Sequence, residues 1–206
     1  MTNEEQTKKP SEMNPDDLPD GEAFEDEFTR GFLQSTEETR PGYYPFLSGT
    51  GKYEMDFPVN ATIDPHGYAL KDKEYEGLFI GVDAGEMKSS IRLNYSSLHE
   101  KGREDTSLGM INQQFNDELL FDEFTSGDST LYLSYFEEDE TYFGYAGFLQ
   151  NELDDGGISI LYESECIANK EECAGIIAKG KDVMKQQIES IQFTVQSKES
   201  ERVIDE

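Results

Sequence analysis

The sequence predicts an α+β fold, an antiparallel sheet of about seven to nine strands with helices on both faces. Three observations predict it. Between Glu118 and Glu165 four short apolar runs are separated by tight-turn residues, the pattern of a meander. Two earlier stretches, Lys52–Phe57 and Glu76–Val82, alternate apolar and polar residues, as half-buried strands do. The stretch that follows Asn169 places Cys173, Ile176, Ile177, Val183, Met184, Ile188 and Ile191 on one helical face.

Residues 1–22 are polar and acidic, with Pro10, Pro15 and Pro19 spaced along them. Met1, Met13 and Leu18 are their large apolar residues, so composition predicts a disordered tether. The opening Met1–Glu5 reads as a start residue placed ahead of a mature sequence. A single domain is expected over 23–196, and a frayed tail over 197–206. Phe24, Phe28 and Phe32 recur at four-residue steps, the spacing of a short helix with one aromatic face. Tyr43–Leu47 and Lys52–Phe57 read as strands around Ser48-Gly49-Thr50-Gly51, and Pro58 ends the second. Residues 59–75 lack periodicity and read as a long loop, with a helical turn near Tyr68–Lys71.

Glu76–Val82 and Ser89–Ser96 form the next expected hairpin. Leu78, Ile80 and Val82 share one face of its first strand, and Ile91, Leu93 and Tyr95 one face of its second. A helix follows from about Thr106 to Asn116, with Leu108, Ile111 and Phe115 on one stripe. The meander strands are Leu119–Phe124, Thr130–Phe136, Thr141–Gln150 and Gly157–Glu163. Asn169 and Glu172 have capping-box spacing at the start of the last helix. Gly180 lies on that helix's apolar stripe, where a missing side chain permits close approach to the sheet. Phe193 and Val195 suggest a short terminal strand.

The formal charge is −28, from 45 acidic and 17 basic side chains. Such a surface repels nucleic acid, whose phosphates are bound by clustered Lys and Arg. It repels an anionic bilayer for the same reason, so attachment to a membrane calls for a covalent anchor. No apolar run approaches the ~18 residues that span a bilayer as a helix. Aromatic residues make up 12% of the chain without any Trp, so the core is built on Phe, Tyr and aliphatic residues.

The chain has two cysteines, Cys166 and Cys173, bracketing the turn from the last meander strand into the last helix. A turn of that length can bring two Cα atoms to the ~5.5 Å of a disulfide. A redox pair normally has two intervening residues, and a zinc site needs further ligands, for which His66 and His99 are distant in sequence. The spacing favours a structural disulfide, with free thiols and a metal site as the alternatives. A disulfide in turn favours an oxidising, extracytoplasmic location.

Catalytic constellations are scarce. Neither a nucleophile elbow, a phosphate loop, a dinucleotide fingerprint nor a zinc-protease helix motif occurs. Glu118, Asp122, Glu123, Glu138, Glu140, Glu163 and Glu165 flank the predicted sheet, and paired carboxylates ~5–10 Å apart hydrolyse glycosides. In so acidic a chain close pairs arise by chance, and His66 and His99 read as solvated loop residues. Asn151, Asp154, Asp155 and Gly156 lack the alternation of a calcium loop. No catalytic, metal or cofactor-binding residue is therefore assigned. Tyr142, Phe143 and Tyr145 cannot all face one side of a strand. Either part of this set forms a wet surface for a partner or a sugar polymer, or a second layer such as the Phe24–Phe32 helix covers it. Burial of both sheet faces favours the second.

The acidic leader, the Phe57-Pro58 strand end, the meander and the run Ile188-Glu189-Ser190-Ile191-Gln192-Phe193 together resemble the YvcA-like surface lipoproteins of Gram-positive bacteria. The arrangement over about 43–195 is also similar to the PsbP/Mog1-like α/β/α sandwich. The resemblance implies a signal peptide cleaved before a lipid-modified cysteine, which would precede Thr2 in the native precursor. It implies no catalytic residues. The expected protein is a cell-surface lipoprotein, non-enzymatic and of binding or structural type, on the outer face of the cell membrane. Its expected partner is a protein or cell-wall component. The alternatives are an extracellular hydrolase using paired carboxylates and a cytosolic acidic adaptor.

Overall fold

The structure, a computed structural model, describes residues 8–194. Alternation of apolar residues builds two antiparallel sheets. The smaller has strands β1 (Tyr43–Leu47), β2 (Tyr53–Pro58) and, at the far end of the chain, β11 (Gln192–Phe193), in the order β1-β2-β11. The larger has eight strands. These are β3 (Ala61–Ile63), β4 (Ala69–Lys71), β5 (Tyr75–Asp83), β6 (Met87–Ser96), β7 (Asp122–Ser126), β8 (Ser129–Glu137), β9 (Tyr142–Asn151) and β10 (Gly157–Cys166). Their order is β3-β5-β6-β10-β9-β8-β7, with β4 also paired to β5.

Register puts opposite sets of side chains on opposite faces. On one face Ile158, Ile160 and Tyr162 of β10 lie opposite Tyr95, Leu93 and Ile91 of β6. This face carries the main core, covered by the smaller sheet, by helices α1 (Glu22–Glu25) and α2 (Glu27–Arg30), and by the long helix α4 (Lys170–Glu189). The other face carries Tyr132, Phe136, Ala146, Phe148 and Leu161 beneath helix α3 (Glu104–Asn112) and the segment that follows it. Helices thus cover both faces of an antiparallel sheet, as the α+β expectation required.

Helix α4 approaches closely where Gly180 sits. A Cβ there would lie 2.9 Å from Met87 Sδ and 3.3 Å from Phe143 Cζ. Cys166 and Cys173 form a disulfide with a Cα separation of 5.8 Å, tying the end of β10 to the first turn of α4. Closing a loop of eight residues is worth about 2.5 kcal/mol in the chain-entropy account. The expected capping box is absent. The Asn169 side chain makes no capping bond, and its carbonyl accepts from Glu172 N at 3.0 Å and Cys173 N at 3.1 Å. The covalent bridge fixes the entry that the side-chain cap was expected to fix.

Other expectations are corrected by packing. The Phe24–Phe32 stretch is two four-residue helices, because Asp26 leaves helical geometry to cap α2, accepting from Thr29 N at 2.7 Å. The expected loop over 59–75 contains β3 and β4, and the anticipated helical turn at Tyr68–Lys71 is largely strand β4. These three-residue strands owe their form to pairing with β5. The second layer over the meander is α3, not the Phe24–Phe32 stretch. Ordering also begins earlier than residue 22. Pro10–Glu12 and Pro15–Asp17 are 3-10 turns, Pro10 is buried and Leu18 packs on the core. Prolines with preset φ lessen the entropy that ordering costs there. The anticipated tether over residues 1–7, the terminal strand at Val195 and the tail over 197–206 lie outside the described residues.

The structure separates Met184 from Val183. Met184 is fully buried against Ser164, whereas Val183 is 42% exposed and Ile177 half-buried. Met184→Asp should lower stability by on the order of 3 kcal/mol or more, since it buries an unpaired carboxylate. Val183→Asp should stay within about 0.5 kcal/mol of the parent. Urea unfolding midpoints of the two variants check the contrast.

Candidate functional site

A concavity with a volume of about 820 Å³ lies between α2 and the β1–β2 turn. Its construction starts at Asp26, which caps α2 through Thr29 N and also accepts from Thr29 Oγ1 at 2.6 Å. Thr29 is fully buried, and its hydroxyl accepts from Ile63 N at 2.8 Å, pinning α2 to β3. This projects Phe28 and Phe32 toward Tyr68. The three rings meet edge to face, each pair 5.4 Å apart between centroids. Phe32 also stacks on Phe46 of β1 at 5.6 Å, which joins the floor of the groove to the core.

The rim opposite is the turn Ser48–Gly51. Ser48 Oγ accepts from Lys52 N at 3.0 Å and Tyr53 N at 3.1 Å, closing the turn internally. Glu76 anchors it from β5. Its side chain is fully buried, and its carboxylate accepts from Gly49 N at 2.7 Å, Thr50 N at 3.2 Å and Thr50 Oγ1 at 3.0 Å. The Tyr68 hydroxyl donates to the same carboxylate. Burial, then the charge of Glu76 and this hydrogen bond, push the Tyr68 phenol up to about 12. A Cβ at position 49 would overlap the Tyr68 hydroxyl, so the contact depends on Gly49. One carboxylate therefore locks rim to floor. Lys9, Glu27 and Gln34 supply polar groups around the aromatic surface.

Glu76 was not singled out from sequence, although a signal existed. Stepping back by two from Leu78, Ile80 and Val82 places Glu76 on the same buried face. Tyr68 fell in a stretch read as loop, where no period marks it.

The acids weighed as catalytic pairs are elsewhere. Glu163 pairs with Arg92 at 2.7 Å and Glu140 with Lys170 at 2.7 Å. Tyr142 donates to Glu163, and burial followed by that bond pushes its phenol up to about 12. Glu118, Asp122, Glu123, Glu138 and Glu165 are exposed. None of these acids lines the groove. Among the described residues no group of three or more His, Cys, Asp or Glu converges as a metal cage. His66 is 95% exposed beside Asp64. His99, read as solvated, is half-buried. Its Nδ1 lies 3.1 Å from Ser107 Oγ and its ring packs edge-on to Phe148 at 5.0 Å. Ser107 itself is a buried residue of α3, so this pair braces the second sheet face rather than presenting a nucleophile. Of the aromatic set, Phe143 is buried, while Tyr145 packs on Tyr135 beneath Lys181.

The chain matches the family model described as "Putative lipoprotein YvcA" over residues 19–192. It is similar to the protein of Bacillus subtilis (strain 168) that carries that same description. The two are 25% identical over 214 residues, covering 96% of this chain and 88% of the relative. No solved structure matches the chain.

Two outcomes follow from the geometry. Glu76→Ala strips the acceptor from Gly49 N, Thr50 N and Thr50 Oγ1, and should cost about 2–4 kcal/mol. Amide exchange at Gly49 and Thr50 should accelerate in the same variant, as NMR would record. Burial holds the His99 imidazole below its ordinary range. The unfolded chain then takes up this proton first, so stability from His99 is present at neutral pH and is lost as pH falls through about 6.5. A ring-proton titration of the folded protein should give a midpoint below about 6.5 for His99.

Proposed function

The chain belongs to the YvcA lipoprotein family, and on that footing we propose that it is a non-enzymatic binding protein displayed on the outer face of the cell membrane. A lipid on a cysteine ahead of the sequence described here would hold it there. At a charge of −28 the chain as a whole repels anionic headgroups, so attachment rests on that covalent anchor. The Cys166–Cys173 disulfide is consistent with an oxidising compartment.

The observation that carries the binding role is the Phe28, Phe32 and Tyr68 floor, held rigid against the rim by Glu76. Preformed aromatic surfaces with a few fixed polar groups suit recognition, because little order has to be created on binding. The partner is a protein or a cell-wall component, with the rings offering stacking area and Glu27 and Gln34 offering hydrogen bonds.

An intact mass of the protein extracted from its own cells tests the placement. The expected result is a lipid adduct at the N-terminus and a mass two hydrogens short of the reduced chain. An unmodified mass with both thiols free would instead favour a cytosolic adaptor. Co-sedimentation with purified cell-wall sacculi tests the groove. The parent protein should pellet with the sacculi, and folded Phe28→Ala should lose at least about tenfold in affinity, equivalent to one aromatic contact. Equal retention of both proteins would remove the groove from the interaction.

A further inference from the structure

The two ends of the large sheet are finished differently. At one end β5 is covered by the three-residue strands β3 and β4, and α1 and α2 lie against β3. At the other end stands β7, whose five residues Asp122–Ser126 are all exposed and whose partner is β8 alone among the described residues. An edge strand turns every second N–H and C=O outward, where another strand can pair with them. The two faces of this edge differ in chemistry. Glu123 lies opposite Tyr132, and the Tyr132 phenol feels Glu123, Glu104, Glu152 and Asp105 together. Lys101 answers Glu152 at 2.9 Å, which leaves this side acidic. On the other side Phe124 lies opposite Leu131 with its ring 39% exposed and Lys185 resting on it at 4.7 Å.

We propose that β7 is a strand-addition site for a basic extended peptide in which Lys or Arg alternates with apolar residues. The backbone edge supplies the ladder. The period of two directs the basic side chains toward Glu123 and its neighbouring carboxylates, and the apolar ones over Phe124. A second copy of this chain is a poor occupant. It would bring another edge carrying Asp122 and Glu123 against the first, in a molecule already carrying −28. The same carboxylates therefore deter self-pairing and select a cationic strand. This surface is separate from the aromatic groove and does not depend on it.

The test uses the full chain, isotope-labelled, titrated with an acetylated and amidated (Lys-Val)4 peptide and with its (Glu-Val)4 counterpart. The expected result is saturable binding of the lysine peptide alone, with new amide-exchange protection at alternate residues of Asp122–Ser126. Affinity should fall about tenfold in Glu123→Lys and again as salt rises, since charge steers the contact. Because Glu123 is exposed, that variant should fold as the parent does. Three results would overturn the proposal: shifts scattered over the acidic surface without protection in β7, equal binding of the glutamate peptide, or dimerisation of the chain through β7. No binding at about 1 mM peptide, the limit of a ~4 kcal/mol interaction, would overturn it as well.

Discussion

The middle strands of the large sheet are apolar on both faces, and most of the architecture answers that constraint. In β9, Phe143 and Leu149 enter the main core while Ala146 and Phe148 enter the second cluster. An antiparallel sheet can leave one face to water, but one with this pattern must be covered twice. Helix α4 and the small sheet cover one side. Helix α3 and the residues after it cover the other. The disulfide and Gly180 both serve this need, since one ties α4 to the end of β10 and the other lets it settle close.

Polar groups drawn into these layers are held by partners. Tyr162 donates to Gln187 of α4 at 3.1 Å, and Glu76 satisfies three donors of the β1–β2 turn. The second arrangement has a functional aspect. A carboxylate buried at that depth is tolerable only with its oxygens fully engaged. Engaging them immobilises one wall of the groove and the Tyr68 ring of its floor. The surface beyond is strongly acidic, which suits solubility and biases the choice of partner toward cationic or neutral ones.

Reading the sequence succeeded where a period was long enough to detect. β1, β5, β6 and β8 through β10 were placed within about three residues, and the close approach at Gly180 and the cysteine pairing were anticipated from position. It failed where form depends on contact. β3 and β4 have no period because three residues cannot show one. The Phe24–Phe32 stretch has helical spacing, yet Asp26 breaks it in two. Val183 shares the stripe of α4 by spacing but is 42% exposed, although Gly180, Met184 and Gln187 around it are buried. Tyr68 and Glu76 come from separate elements, and their meeting under Gly49 has no local trace beyond the buried-face register of Glu76.

By itself the sequence determined the α+β class, the antiparallel meander and the excess of negative charge. These follow from periodicity and composition, which are local or additive properties of the chain. The tertiary structure alone decided which layer covers which face, how the leader from Pro10 onward lies on the domain, and that an aromatic groove forms beside α2. It also decided that β7 stands, among the described residues, at an edge of the sheet. Those outcomes depend on packing between residues far apart in sequence, where the free energy belongs to pairs and not to any single stretch.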